Sequence, residues 1–317
     1  MASESKEVQI DFSPYLKVYK DGTVERFFGS PYVPPSLDDP ITHISTKDIK
    51  ISSNVSARIY LPKITDPNKK LPVLVYYHGG AFCLESALSL FDYQYLNQLV
   101  PRANALTVSV EYRLAPEHPL PAAYEDSWAA LQWVASHSVK GSEIDSEKEP
   151  WLINYGDFSR VYLGGGSAGG NIVHNMAMKA GEEGLIGGVK ILGAFMSCPC
   201  FCDSKITKES DFGSARLWGF VYPSAPGGTN NPLINPFADG VPNLAKIGCQ
   251  KIFVSCAEKD ELRDVDLSYV EALKKSGWNG ELELVDVEGE DHCFEAFDPS
   301  TEKAQNLISK IASFIKG

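Results

Sequence analysis

The pentapeptide Gly165-Gly166-Ser167-Ala168-Gly169 constrains this chain more than any other feature; it is entered from the apolar Val161-Tyr162-Leu163 and left into Ile172-Val173-His174. A G-x-S-x-G run between a strand and a helix puts the serine on a strained turn, and its glycines let neighbouring chain pass without a side-chain clash. The turn lifts the serine oxygen out of the sheet, where it can act as a nucleophile. Gly-rich loops also cradle phosphates, so the pentapeptide needs independent support.

That support lies on both sides of it. Upstream, Leu71 to Tyr77 is apolar throughout and reads as a buried parallel strand. It runs into His78-Gly79-Gly80-Ala81-Phe82, where the backbone N–H groups of Gly79 and Gly80, joined by that of Ala168, are expected to form an oxyanion hole. His78 itself reads as a structural hydrogen-bond partner. Downstream, Lys251 to Cys256 reads as a strand that leads to Asp260, and Glu281 to Val287 as a strand that leads to His292. A serine hydroxyl is a poor nucleophile near neutral pH and needs a base within hydrogen-bond reach. His292 is the expected base, and an ionised Asp260 would fix its tautomer. Asp264, Asp266 and Asp291 are rival carboxylates. Asp291 would have to fold back beside the histidine, whereas Asp264 and Asp266 are expected in the first turn of a helix over 267–275, where negative charge is favourable. The order Ser167, Asp260, His292, with the last two 32 positions apart, differs from the orders of the chymotrypsin-like and subtilisin-like enzymes.

With these motifs the chain resembles the plant carboxylesterases of the hormone-sensitive-lipase-like α/β-hydrolases. The likeness extends to Tyr19-Lys20-Asp21-Gly22-Thr23-Val24-Glu25-Arg26 and to the segment from Val110 to Asp126. Phe82-Cys83-Leu84-Glu85-Ser86-Ala87 and Ala225-Pro226-Gly227-Gly228 are most similar to 2-hydroxyisoflavanone dehydratases and related alkaloid-pathway proteins. The resemblance implies an α/β-hydrolase fold: a mostly parallel central sheet with helices on both faces, and a lid made by residues 1–40 and an insertion over 203–246. It also implies a serine carboxylesterase working through an acyl-enzyme on Ser167, with two alternatives: a dehydratase or lyase, and a non-catalytic ligand receptor. Dehydratases of this type carry threonine where this chain has Ser167. Gibberellin receptors and certain alkaloid cyclases lack the histidine that this chain keeps as His292. Where the family usually has Asp or Glu before the nucleophile, this chain has Gly166, which is expected to weaken support of the turn. Asn171 and Tyr112 are expected to brace the site from behind. Within the two lid segments, Phe12, Tyr15, Phe27, Phe28, Trp218, Phe220 and Tyr222 are candidates for the substrate-facing wall.

Composition agrees with one enzyme domain of 317 residues. A formal charge of −12 argues against nucleic acid as a partner. The first seven residues lack the basic start and apolar core of a signal peptide, and no apolar run approaches a membrane span, so a cytoplasmic protein without a membrane partner is expected. The expected partner is a small-molecule ester, with neither metal nor organic cofactor. Seven cysteines fit reduced thiols. Cys198, Cys200 and Cys202 lack the paired spacing of a structural zinc site, and Cys293 reads as structural. His43, His118, His137 and His174 have no matching nucleophile and read as structural or exposed. Residues 44–61 suggest an antiparallel start before strand and helix alternate. Tyr124, Trp128, Leu131 and Ala135, and the stripe from Ala304 to Ile315, suggest amphipathic helices, with 141–150 a polar loop between elements.

Overall fold

The computed structural model of the chain describes residues 6–139, 148–203, 213–238 and 240–317; most of the polar loop expected over 141–150, and residues 204–212 and 239 of the expected insertion, lie outside the described residues. Three short strands, β1 (Val8–Phe12), β2 (Leu16–Tyr19) and β3 (Val24–Arg26), pair antiparallel in a small sheet of their own. The main sheet starts with the antiparallel pair β4 (Ser45–Lys50) and β5 (Ser56–Leu61), as residues 44–61 suggested. Alternation follows: β6 (Leu71–Tyr77), α1 (Leu90–Ala103), β7 (Leu106–Glu111), α2 (Ala122–Ser136), the short α3 (Pro150–Tyr155), β8 (Gly156–Gly166), α4 (Ala168–Glu183) and β9 (Ile191–Ser197). The chain then forms α5 (Ser214–Val221), β10 (Cys249–Ala257), α6 (Arg263–Lys275), β11 (Glu281–Val287), α7 (Phe294–Phe297) and α8 (Glu302–Lys316).

The eight strands lie in the order β11-β10-β9-β8-β6-β7-β5-β4, parallel from β11 to β7. Every residue of β6 is buried, because helices cover both faces of the sheet and neither set of alternate side chains meets water. Val73, Val75 and Tyr77 enter a core built with residues of α2, α4 and α6, whereas Leu74 and Tyr76 enter a second core built with α1 and α8. The α8 stripe Ala304, Leu307, Ile308, Ile311, Ala312 and Ile315 is wholly buried, since residues three and four apart share one face of a helix. Strand β11, at the edge, keeps the polar alternation read from its sequence. Among the described residues, no helix is long and apolar enough to cross a membrane.

This topology decides where chemistry can occur. The loops that follow β6, β8, β9, β10 and β11 all leave the same edge of the sheet, the carboxyl ends of its parallel strands, where open α/β sheets bind ligands. They carry Gly79 and Gly80, Ser167, Cys198, Asp260 and His292 respectively.

Candidate active site

Ser167 stands between β8 and α4 with φ 53° and ψ −120°. A serine held at positive φ is strained and persists only where its surroundings over-determine it. Its N–H donates to Ser197 O at 2.8 Å, and its carbonyl accepts from the N–H groups of Cys200 at 2.9 Å and Asn171 at 3.0 Å. The flanking glycines are required by proximity. A Cβ on Gly165 would lie 2.6 Å from the carbonyl oxygen of Tyr77, and one on Gly169 would lie closer still to that oxygen. Ala168 opens α4, where a backbone N–H has no partner within the helix.

Asp260 and His292 meet across 32 residues of sequence, with the ring Nδ1 2.7 Å from Asp260 Oδ2. The Asp260 carboxylate is buried, whereas about a third of the His292 side chain (32%) stays accessible. Burial alone would raise the Asp260 pKa, but the His292 ring and the Leu262 N–H, which donates to it at 3.0 Å, hold the carboxyl below its ordinary value. Burial likewise works against a charged His292, yet the hydrogen bond and negative charge of Asp260, together with a hydrogen bond to Cys198, outweigh it and raise the imidazole well above its ordinary range. The rivals are placed elsewhere. Asp291 accepts from the backbone N–H of its neighbour His292 at 2.8 Å, not from the ring. Asp264 lies in the first turn of α6 as expected. Asp266 also lies there but is fully buried, and burial beside Asp260 raises its pKa well above the carboxylate range, so it is not the helix-end anion its position suggested.

Gly79 and Gly80 line the same cavity as Ser167, Asp260 and His292. Gly80 has φ 101°, and its carbonyl accepts from the N–H groups of Cys83 and Leu84, which curls the loop under itself. Its neighbours Ala81 and Phe82 also take positive φ. The props are visible. His78 is fully buried, its Nδ1 lies 2.7 Å from Gly79 O, and burial pushes its pKa down to about 4, so the ring is neutral. Tyr112 stacks on that ring at 4.1 Å and its hydroxyl donates to His78 O at 2.7 Å. Asn171 donates to Cys200 O and Leu233 O and accepts from the Tyr124 hydroxyl, tying α4 to the segment beyond β9. Of the other histidines, His174 is buried against Tyr269 and His137 against Trp133, while His43 and His118 are exposed.

The cavity has a volume of about 430 Å³. Of the aromatic residues expected on its wall, Tyr15 and Phe28 line it. Phe12 instead stacks on Phe220 at 4.6 Å, joining the first strands to α5, and Trp218 is buried with its indole N–H donating to Gly228 O. Phe27 is exposed. The wall also includes Tyr76, Phe91, Leu217 and Phe297, none of which sequence reading singled out. Phe297 follows His292 by five residues and packs edge-on to Phe91 at 5.1 Å, a pairing that no local pattern announces. Arg26 fastens the first strands to the glycine loop: it donates to Cys83 O and Ala115 O and makes a two-pronged ion pair with Glu117.

The surroundings of Gly166 are specific. Its φ lies outside the left-handed region, so the backbone does not demand glycine, and the space beside it is not empty. A Cβ there would lie 3.2 Å from Cys293 Sγ. Cys293 therefore stands beside the position from which an acidic side chain was expected to extend.

A family model described as the α/β-hydrolase fold matches residues 74–296. A 2-hydroxyisoflavanone dehydratase of Glycyrrhiza echinata is 54% identical over 319 residues, covering 98% of this chain and 97% of its own. A probable carboxylesterase 2 of Arabidopsis thaliana is 41% identical over 323 residues, covering 99% and 98%. Among solved structures, a hyperthermophilic esterase from Pyrobaculum calidifontis superposes with a TM-score of 0.69 at 30% identity, over 86% of this chain and 85% of that one.

Proposed function

The chain belongs to the plant carboxylesterase family of α/β-hydrolases, and from that premise we propose that it is a serine carboxylesterase that hydrolyses small-acyl esters of plant specialised metabolites. The observation that carries this reading is the 2.7 Å bond from His292 Nδ1 to Asp260, at a cavity that also holds the strained Ser167. An ionised carboxylate on Nδ1 leaves Nε2 as the acceptor for a proton.

In this reading Ser167 Oγ attacks the ester carbonyl carbon while His292 Nε2 takes its proton. Asp260 stabilises the imidazolium, and the N–H groups of Gly79, Gly80 and Ala168 receive the oxyanion. Collapse of the tetrahedral species breaks the bond to the alkoxy oxygen, which leaves as an alcohol with the proton from His292. Water, deprotonated by the same ring, then releases the acid and restores Ser167. The described parts of 1–40 and 203–246 act as the lid over this chemistry, and the protein works in the cytoplasm on a small molecule.

The 54% identity to a protein named as a dehydratase favours a second reading: elimination from a specialised metabolite, with His292 as base and the same N–H groups holding an enolate. The resemblance drawn from the sequence gives such dehydratases threonine at the position of Ser167, which favours hydrolysis here. Incubation with p-nitrophenyl acetate or an organophosphate, followed by intact-mass and peptide analysis, separates the two. Hydrolysis predicts an acetyl or phosphoryl group on Ser167. A folded protein with no adduct, but with turnover of a 2-hydroxyisoflavanone, gives the site to elimination.

A further inference from the structure

Beside the proposed base lies a second constellation that ester hydrolysis does not use. Cys198, Cys293 and His292 bring two thiol sulfurs and a ring nitrogen within 4.8 Å of one another. Cys198 follows β9, and Cys293 precedes α7, so the pair is assembled from two loops 95 residues apart in sequence. Cys200 and Cys202, which share the C-x-C-x-C run with Cys198, take no part.

Three features set this group apart from thiols that merely fill a core. Both cysteines hold positive φ, 44° and 48°, a conformation uncommon outside glycine and a mark of functional constraint where it recurs. Both are buried, while His292 remains partly open to the cavity, so an incoming ion has a path. The Asp260 carboxylate bonded to His292 puts a negative charge next to the three ligand atoms and orients the ring, the outer-shell partner that metal-bound histidines commonly have.

We propose that Cys198, Cys293 and His292 form a binding site for a thiophilic divalent cation, zinc or cadmium, and that its occupation switches the active site off. Two thiols and an imidazole with a fourth position left open are a known donor set for a tetrahedral d10 ion. Sulfurs bound at about 2.3 Å to one tetrahedral centre lie about 3.8 Å apart, so the sulfurs need to close by no more than about 1 Å. On binding, each thiol releases its proton to solvent and becomes a thiolate. The divalent ion and the two thiolates then sum to zero charge, and no electron is transferred. With Nδ1 held by Asp260, Nε2 is the ligand: a protonated ring first releases its Nε2 proton to solvent, and the lone pair then goes to the metal and is no longer available to the Ser167 proton. Cys293 also gives up its contact with Ser197 O, at 3.6 Å, the carbonyl that receives the Ser167 N–H.

The test uses the full chain, reduced with a phosphine that does not bind the metal, and titrated with cadmium chloride. One ion per chain in native mass spectrometry is expected, with a thiolate-to-cadmium charge-transfer band in the ultraviolet. Alkylation followed by peptide mapping of the wild type is expected to show Cys198 and Cys293 protected by the ion and the other five cysteines unaffected. Cys198→Ser and Cys293→Ser are each expected to weaken binding by at least about tenfold, the lower bound for loss of even an outer-shell partner. No bound ion, binding without the band, or protection of other cysteines would overturn the site even if either variant failed to fold. The inhibitory half rests on reading His292 as the base: cadmium should abolish ester hydrolysis and a chelator should restore it. Binding with unchanged hydrolysis would overturn the switch and leave the site standing, and a protein with no esterase activity would still answer the binding question.

Discussion

The platform formed by the strand ends and the first strands and α5, which contribute to the cavity wall, are held by different forces. On the platform, the Ser167 turn is fixed by backbone: three hydrogen bonds to its own N–H and carbonyl, and two glycines pressed against Tyr77 O. The first strands are fastened beside it by the side chain of Arg26, through four hydrogen bonds, and α5 is joined to those strands by the Phe12–Phe220 stack, with one backbone bond, from Leu120 N–H to Val221 O, at the end of α5. Backbone contacts leave little freedom for sequence change, whereas side-chain contacts can be exchanged for others of similar size. Chemistry is therefore expected to reside in the first region and substrate choice in the second.

The sharpest way to break this division is Ser167→Ala. If the platform carries the chemistry, esterase activity falls by about 10,000-fold or more. Thermal stability stays within about 0.5 kcal/mol, because a hydroxyl facing a cavity contributes little packing. Turnover within tenfold of wild type would remove Ser167 from the reaction.

Asp260→Asn comes next and tests the electrostatics. His292 must be neutral to act as base, and Asp260 holds it protonated above its ordinary range, so kcat/KM should rise with pH through a limb above about 6.5. Asparagine removes the charge and no longer fixes the useful tautomer. The rate should drop about 1,000- to 10,000-fold and the limb of the residual activity should move to lower pH. A limb that stays in place would show that Asp260 does not set the protonation of the base.

Arg26→Ala probes the second region and should act more weakly. Its ion pair with Glu117 is partly exposed, so the stability loss should be about 1 kcal/mol. With Tyr15 and Phe28 less firmly placed, KM for a bulky ester should rise several-fold while kcat changes little. A drop in kcat for a small acetyl ester, with KM unchanged, would mean that the first strands belong to the platform after all.

How far each region can be read from sequence follows the same division. Gly165, Ser167 and Gly169, the glycine loop, and Asp260 and His292 are legible because their backbone geometry or their chemistry admits few residue types. The wall of the cavity is not. Tyr76 faces it from a strand buried on both sides, where no periodicity separates a wall residue from a core residue, and Phe91 and Phe297 meet only once α1 and α7 are packed together. The Cys198–Cys293 pair was hidden for a similar reason. Spacing along the chain grouped Cys198 with Cys200 and Cys202, while the parallel sheet brings β9 and β11 to the same edge and groups it with Cys293.

The smallest effect lies on the platform itself, at Gly166, and asks how finely its packing is fixed. The φ there suits any residue, so Gly166→Ala should gain about 0.4–1 kcal/mol by restricting the unfolded chain. Against this, the new Cβ would stand 3.2 Å from Cys293 Sγ, whereas its contacts with Ser197 at 3.6 and 3.8 Å are ordinary. Crowding of the sulfur should cancel the gain in the single variant, while Cys293→Ala removes the obstacle and lets the gain appear. A double-mutant cycle on thermal or denaturant stability should therefore give a favourable coupling of about 0.5–1 kcal/mol. Additivity within about 0.3 kcal/mol would mean that the sulfur moves aside freely. The notch beneath the nucleophile would then be as adaptable as the aromatic wall, and the contrast between a rigid platform and an exchangeable wall would fail at the position nearest the chemistry.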